Sequence, residues 1–79
     1  MVKKSTNRYL IVIEGDGTTN YSAYSPDVPG CVATGATPRE CEDEMRRALA
    51  FHLEGLAVEG EPLPKPHTSA AYVEVAAPG

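Results

Sequence analysis

The sequence of 79 residues has no tryptophan, one phenylalanine and two cysteines. Its longest apolar run is the stretch Tyr9–Ile13, which Glu14 ends. Five residues are too few for the core of a signal peptide or for a membrane span, even with Lys3, Lys4 and Arg8 before them. Two cysteines do not make a disulfide framework, so reduced thiols and a cytoplasmic setting are expected. Cys31, Cys41, His52 and His67 include no pair at the close spacing of a zinc finger or ribbon. Cys41 and His52 share a helix face and read as a small core residue and a residue at the core edge. Cys31 has no base near it in sequence to make it a nucleophile. Basic residues are also short, with seven Lys and Arg against eleven Asp and Glu and a formal charge of −4. A general nucleic-acid binder needs a basic field, so direct nucleic-acid binding is not expected. No repeat or linker divides the chain, which reads as a single domain over residues 1–79. A domain of this size buries a thin core, and a partner subunit would help it.

What the chain does have is concentrated between Tyr21 and Glu54. Tyr21, Ala23 and Ser25 alternate before the turn Pro26-Asp27-Val28-Pro29-Gly30, and Cys31, Ala33 and Gly35 alternate after it. Pro29 presets φ at the second position of a tight turn, and Gly30 can take the positive φ that a type II turn needs next. The pattern is that of two neighbouring antiparallel strands. Thr37-Pro38-Arg39-Glu40 then opens a helix, with Thr37 as cap, Pro38 at the first helical position and Glu40 placed for a capping box. The helix is expected from Pro38 to about Val58. Its apolar face is Cys41, Met45, Ala48, Leu49, His52, Leu53 and Leu56. Glu42 with Arg46 and Asp43 with Arg47 are acid-before-base pairs four apart, each worth a few tenths of a kcal/mol. The acids of the first turns also suit the helix dipole. Gly55 costs about 1 kcal/mol relative to alanine and is read as allowing close helix–sheet approach. Gly60 fits the helix stop.

Before this block, Met1 to Asn7 reads as a frayed end. Arg8 to Glu14 reads as a strand, with Tyr9, Ile11 and Ile13 on one face and Leu10 and Val12 on the other. Apolar residues on both faces suggest a central strand or one that meets another subunit. Gly15 to Asn20 is loop. After the helix, Glu61 to His67 carries three prolines and is an extended connector. Ala70 to Ala76 alternates again, with Ala71, Val73 and Val75 opposite Tyr72 and Glu74, and is expected as a fourth strand. The fold class is α+β, in the order ββ-β-α-β, an antiparallel sheet with one helix on one face.

The run Tyr21-Ser22-Ala23-Tyr24-Ser25-Pro26-Asp27-Val28-Pro29-Gly30-Cys31, with Thr34-Gly35-Ala36-Thr37-Pro38-Arg39-Glu40 behind it, resembles the HicB family. Ala48-Leu49, His52-Leu53-Glu54-Gly55-Leu56 and Gly60-Glu61-Pro62-Leu63-Pro64 extend the resemblance to roughly Tyr9–Pro66. HicB proteins are the antitoxin halves of HicA–HicB toxin–antitoxin pairs. The resemblance implies a partial ribonuclease H-like fold and a HicA-type, mRNA-cleaving toxin as partner. The family usually adds a C-terminal DNA-binding module. The chain ends at Gly79 after the expected fourth strand, so no such module is expected and promoter binding is not carried over.

Active enzymes of the ribonuclease H fold hold metals with clustered carboxylates. Here Glu14 ends a strand, Asp16 and Asp27 sit in turns, and the helical acids face solvent, so neither catalysis nor a metal or other cofactor is expected. RNA binding through Lys3, Lys4, Arg8, Arg46 and Arg47 is weakened by the acids beside the arginines and by the lack of a stacking cluster. An interaction surface remains. Tyr9, Tyr21, Tyr24 and Tyr72 lie on expected strands, and an apolar sheet face away from the helix would mark a contact. The expected function is neutralisation of the toxin by covering its active site, with Tyr24, Asp27, Glu42, Asp43 and Glu44 as candidate contacts. Pro29, Gly30, Thr37 and Glu40 are read as structural turn and cap. A homo-oligomer, most simply a dimer, is expected through strand edges and the open sheet face. The alternative is a stand-alone oligomeric protein of the same fold with another binding role. A metal-dependent nuclease is the third.

Overall fold

The computed structural model describes residues 7–78; the frayed end and the lysines Lys3 and Lys4 fall largely or wholly outside this range. Three strands, β1 (Val12–Glu14), β2 (Tyr21–Tyr24) and β3 (Val32–Gly35), form one antiparallel sheet in the order β1-β2-β3. The helix α1 (Pro38–Val58) covers one face. Ile13, Ala23 and Ala33 stand in register across the sheet and face α1. They pack with the buried Val28, Cys31, Cys41, Met45 and Leu49. The small residues Ala23, Ala33 and Gly35 let the helix come close. At Gly35 a Cβ would stand 2.5 Å from the Cys41 nitrogen and 2.8 Å from its Cα.

Local chemistry sets the corners. Between β2 and β3 the chain makes two successive turns, closed by Val28 N–H to Ser25 O at 3.2 Å and Cys31 N–H to Val28 O at 3.3 Å. Pro29 and Gly30 are the central pair of the second turn, and Gly30 has φ +84°, as a type II turn requires. At the helix start the Thr37 hydroxyl accepts from the Glu40 N–H at 3.1 Å. The Glu40 carboxylate reaches back to the Ala36 N–H at 3.0 Å, one residue ahead of the cap itself. The helix ends in a Schellman arrangement, with Gly60 N–H to Ala57 O at 3.1 Å and Glu61 N–H to Leu56 O at 2.9 Å.

Four expectations are corrected. β1 is short and lies at the edge of the sheet, because only Val12–Glu14 finds ladder partners in β2. Gly55 is exposed with nothing within 4 Å of a Cβ, so the close approach belongs to Gly35. Asp43 pairs with Arg46, three residues on, at 3.0 Å and with Arg39, four residues before it, at 3.7 Å, while Arg47 turns to Glu44, so the expected Asp43–Arg47 pair does not form. Finally, residues 70–76 form no fourth strand. Tyr72, Val73 and Val75 are exposed to 106%, 80% and 81%. Their alternation gives them the capacity to pair, but among the described residues they join no ladder.

Candidate partner interface

The face of the sheet away from α1 carries a row of side chains fixed by register. Val12 stands opposite Tyr24, and Tyr24 opposite Val32. Tyr24 and Val32 are exposed. Side chains alternate across a strand, so the Ala23 and Ile13 that bury against α1 force this row outward. Ser22 and Thr34, also paired across the sheet, continue the same face.

A second exposed surface lies on the outer side of α1. Phe51 and Val58, seven residues apart, are exposed to 82% and 81%. With Glu54, Gly55 and Glu59 they line a shallow depression. Among the described residues no ion pair occupies Glu54 or Glu59. The depression therefore has an apolar centre and an acidic rim. Phe51 was missed in reading the sequence; the available signal was its spacing from Val58, out of phase with the core stripe.

The five expected contact residues do not share one face. Tyr24 is on the far side of the sheet. Glu42, Asp43 and Glu44 are on the first turns of α1, bonded to Arg46 at 3.1 Å, to Arg46 at 3.0 Å and to Arg47 respectively. Asp27 is buried and bound inside the molecule. Its carboxylate accepts the N–H groups of His67 at 3.0 Å and Thr68 at 3.1 Å, and the Thr68 hydroxyl at 2.5 Å. The His67 Nδ1 lies 3.1 Å from it. The Thr68 hydroxyl above all holds the Asp27 pKa below its ordinary value, against the opposing effect of burial. Asp27 thereby ties the segment after the helix to the β2–β3 turn. Tyr9 adds a second tie, donating its hydroxyl to Pro64 O at 2.6 Å.

The carboxylates weighed for metal chemistry are apart in role. Glu14 ends β1, Asp16 accepts from the N–H and hydroxyl of Thr18 at 2.9 and 2.6 Å, and Asp27 is committed as above. No group of three potential metal ligands stands together among the described residues. Cys31 and Cys41 are buried free thiols, and burial pushes the Cys31 pKa up, away from nucleophile chemistry. Among the described residues no helix is long and apolar enough to cross a membrane.

The described residues thus form a three-stranded antiparallel sheet with one covering helix and two exposed apolar surfaces. The family profile of the HicB_like antitoxin of bacterial toxin-antitoxin systems matches residues 9–77, and the chain belongs to that family. The fold is similar to that of a chain in the solved HicA3 and HicB3 toxin-antitoxin complex. The TM-score is 0.65 and the identity 34%, over 77% of this chain and 70% of that one. An "uncharacterized 14.9 kDa protein in rep-hol intergenic region" of Haemophilus phage HP1 is 39% identical over 82% of the chain. The chain spans about half of that relative, 48% of its length. The UPF0150 protein ssr1765 of Synechocystis is 29% identical over 78% of each chain.

Proposed function

We infer that the protein is a cytoplasmic antitoxin that binds a small HicA-type ribonuclease and covers its active site, with no chemistry of its own. The observation that carries this reading is the fold match, at 34% identity, to a chain of a toxin–antitoxin complex. Charge supports it: a chain of formal charge −4 complements a partner built to hold RNA. The contact surface we favour is the outer strip of α1, where Phe51 and Val58 supply a desolvated centre and Glu54 and Glu59 an acidic rim. Tyr24, with Val12 and Val32, is the second surface, on the opposite side. Glu42, Asp43 and Glu44 are already paired with arginines and would contribute at most to steering.

The test is co-expression with the HicA-type toxin from the same genome in a growth assay. Rescue by the wild-type chain, lost on Phe51→Asp with the protein still folded, is the expected result. A toxin that the chain neither binds nor neutralises would favour a stand-alone binding protein of the same fold.

A further inference from the structure

A cleft of about 890 Å³ lies between residues 7–11 and residues 66–70, two stretches that join no ladder among the described residues. Both walls are held. The Ser25 hydroxyl donates to Leu10 O at 2.8 Å on one side, and Asp27 grips His67 and Thr68 on the other. The Tyr9 hydroxyl, on Pro64 O, joins the first wall to the chain just before the second. The chain as a whole is acidic, with a formal charge of −4, yet Arg8 and His67 line this cleft and, among the described residues, no Asp or Glu does. Among the described residues Arg8 makes no ion pair.

The His67 ring is set by its inner nitrogen. Nδ1 lies 3.1 Å from Lys65 O and 3.1 Å from Asp27 Oδ1. A carbonyl oxygen only accepts, and Asp27, whose pKa is lowered, is a carboxylate that only accepts as well. Nδ1 therefore carries the proton, and the neutral ring presents Nε2 as an acceptor. The ring is 79% exposed, so this nitrogen is open to a ligand. The cleft thus offers a guanidinium that donates and an imidazole nitrogen that accepts. A sulfate ester has charge for Arg8 but no proton for Nε2. A phosphate monoester has both: its oxygens pair with the guanidinium, and the proton it keeps below its second pKa of about 6 goes to Nε2. The Ser69 hydroxyl lines the same cleft as a further donor. Leu10, Ile11 and Pro66 add apolar surface for an organic body beside the phosphate, and the volume is in the range of small-molecule sites.

We propose that this cleft binds a phosphate monoester of a small organic molecule. Arg8 holds the charge of the phosphate, His67 Nε2 takes its proton, and Asp27 is the positioning residue that fixes the ring from behind. The site belongs to the chain alone, and it stands or falls apart from the antitoxin reading.

The test is an NMR titration of the full chain, without toxin, at a pH of about 6, near the second pKa of the monoester. The probes are phenyl phosphate, phenyl sulfate and inorganic phosphate. Phenyl phosphate is expected to shift the amides of residues 8–10 and 67–70 at millimolar concentration. Phenyl sulfate, which lacks the proton, and inorganic phosphate, which lacks the organic body, are expected to bind several-fold more weakly. Arg8→Gln is expected to weaken phenyl phosphate by about tenfold or more, the worth of one charge-assisted hydrogen bond. Arg8 is exposed, so this variant keeps the fold, as helical circular dichroism checks. His67→Asn keeps a donor where Nδ1 stands and removes Nε2, and is expected to abolish the preference for phosphate over sulfate. Absence of shifts at tens of millimolar, shifts centred elsewhere on the chain, or equal binding of phenyl sulfate overturns the proposal. So does phenyl phosphate binding that Arg8→Gln leaves unchanged, and inorganic phosphate binding as tightly as phenyl phosphate overturns the organic body.

Discussion

Replacing Gly35 by alanine tests how the helix sits on the sheet. The added Cβ would meet the Cys41 nitrogen at 2.5 Å, the Cys41 Cα at 2.8 Å and the Glu40 carbonyl carbon at 2.9 Å. Ordinary contacts of this kind need 3.5–4.0 Å, so the neighbours must retreat by about 1 Å. All three are backbone atoms of the first helical turn, and none can rotate aside as a side chain would. That turn is fixed on one side by the Thr37 and Glu40 cap and on the other by the buried Cys41 and Met45. Overpacking of this kind costs about 1–3 kcal/mol. For a domain of this size each kcal/mol lowers Tm by roughly 4–8 °C. Gly55→Ala is the control: the site is exposed with open space around it, so alanine should stabilise the helix by about 0.5–1 kcal/mol. Urea titration followed by circular dichroism measures both. The two variants should move the midpoint in opposite directions. A Gly35→Ala protein that unfolds at or above the wild-type midpoint would refute the packing argument.

Gly30→Val should destabilise by about 1–2 kcal/mol through its left-handed backbone alone, since space around the site is free; thermal melting checks it, and an unchanged Tm would contradict the turn assignment. Thr37→Ala should cost about 1 kcal/mol in the same assay, with Thr37→Ser close to wild type. The Asp27 tie makes a pH prediction. The folded pKa of Asp27 lies below its ordinary value, so the stabilisation is present in full above that ordinary value, about 3.9, and is lost as pH falls through the folded pKa. The protection of the His67 and Thr68 amides, taken relative to their intrinsic exchange rates at each pH, should therefore fall on strong acidification, and should be low already at neutral pH in Asp27→Ala. Equal protection in Asp27→Ala at neutral pH would show that the tie does not hold the segment.

The parts of the fold that were legible in the sequence are those made by neighbours in the chain. Alternation before and after Pro29-Gly30 marks two strands and the turn between them, and Thr37-Pro38 with Glu40 marks the helix start to the residue. These signals are local because the turn and cap hydrogen bonds join residues three or four apart, and the β2–β3 ladder closes directly around that turn, from Tyr24↔Val32 out to Tyr21↔Gly35. The tie from Asp27 to Thr68 spans 41 residues and leaves no period or spacing to read. An aspartate in a turn has an ordinary local role, and that role hid the distant one. Glycine is ambiguous for the same reason: Gly35 and Gly55 look alike until the helix is docked. Alternation in Ala70–Ala76 speaks of a capacity to pair and names no partner. Of the candidate contacts, Tyr24 was readable as an outward strand residue, whereas Phe51 lay unnoticed on the polar side of the helix.

As the proposed antitoxin, this chain would silence a toxin by covering it. The direct measurement is cleavage of a labelled RNA by the purified HicA-type toxin of the same genome, titrated with the purified chain. Cleavage should fall linearly to background at a fixed stoichiometry of chain to toxin, with Phe51→Asp shifting the curve toward much higher concentration. Cleavage that continues unchanged with the chain in large excess would contradict the account.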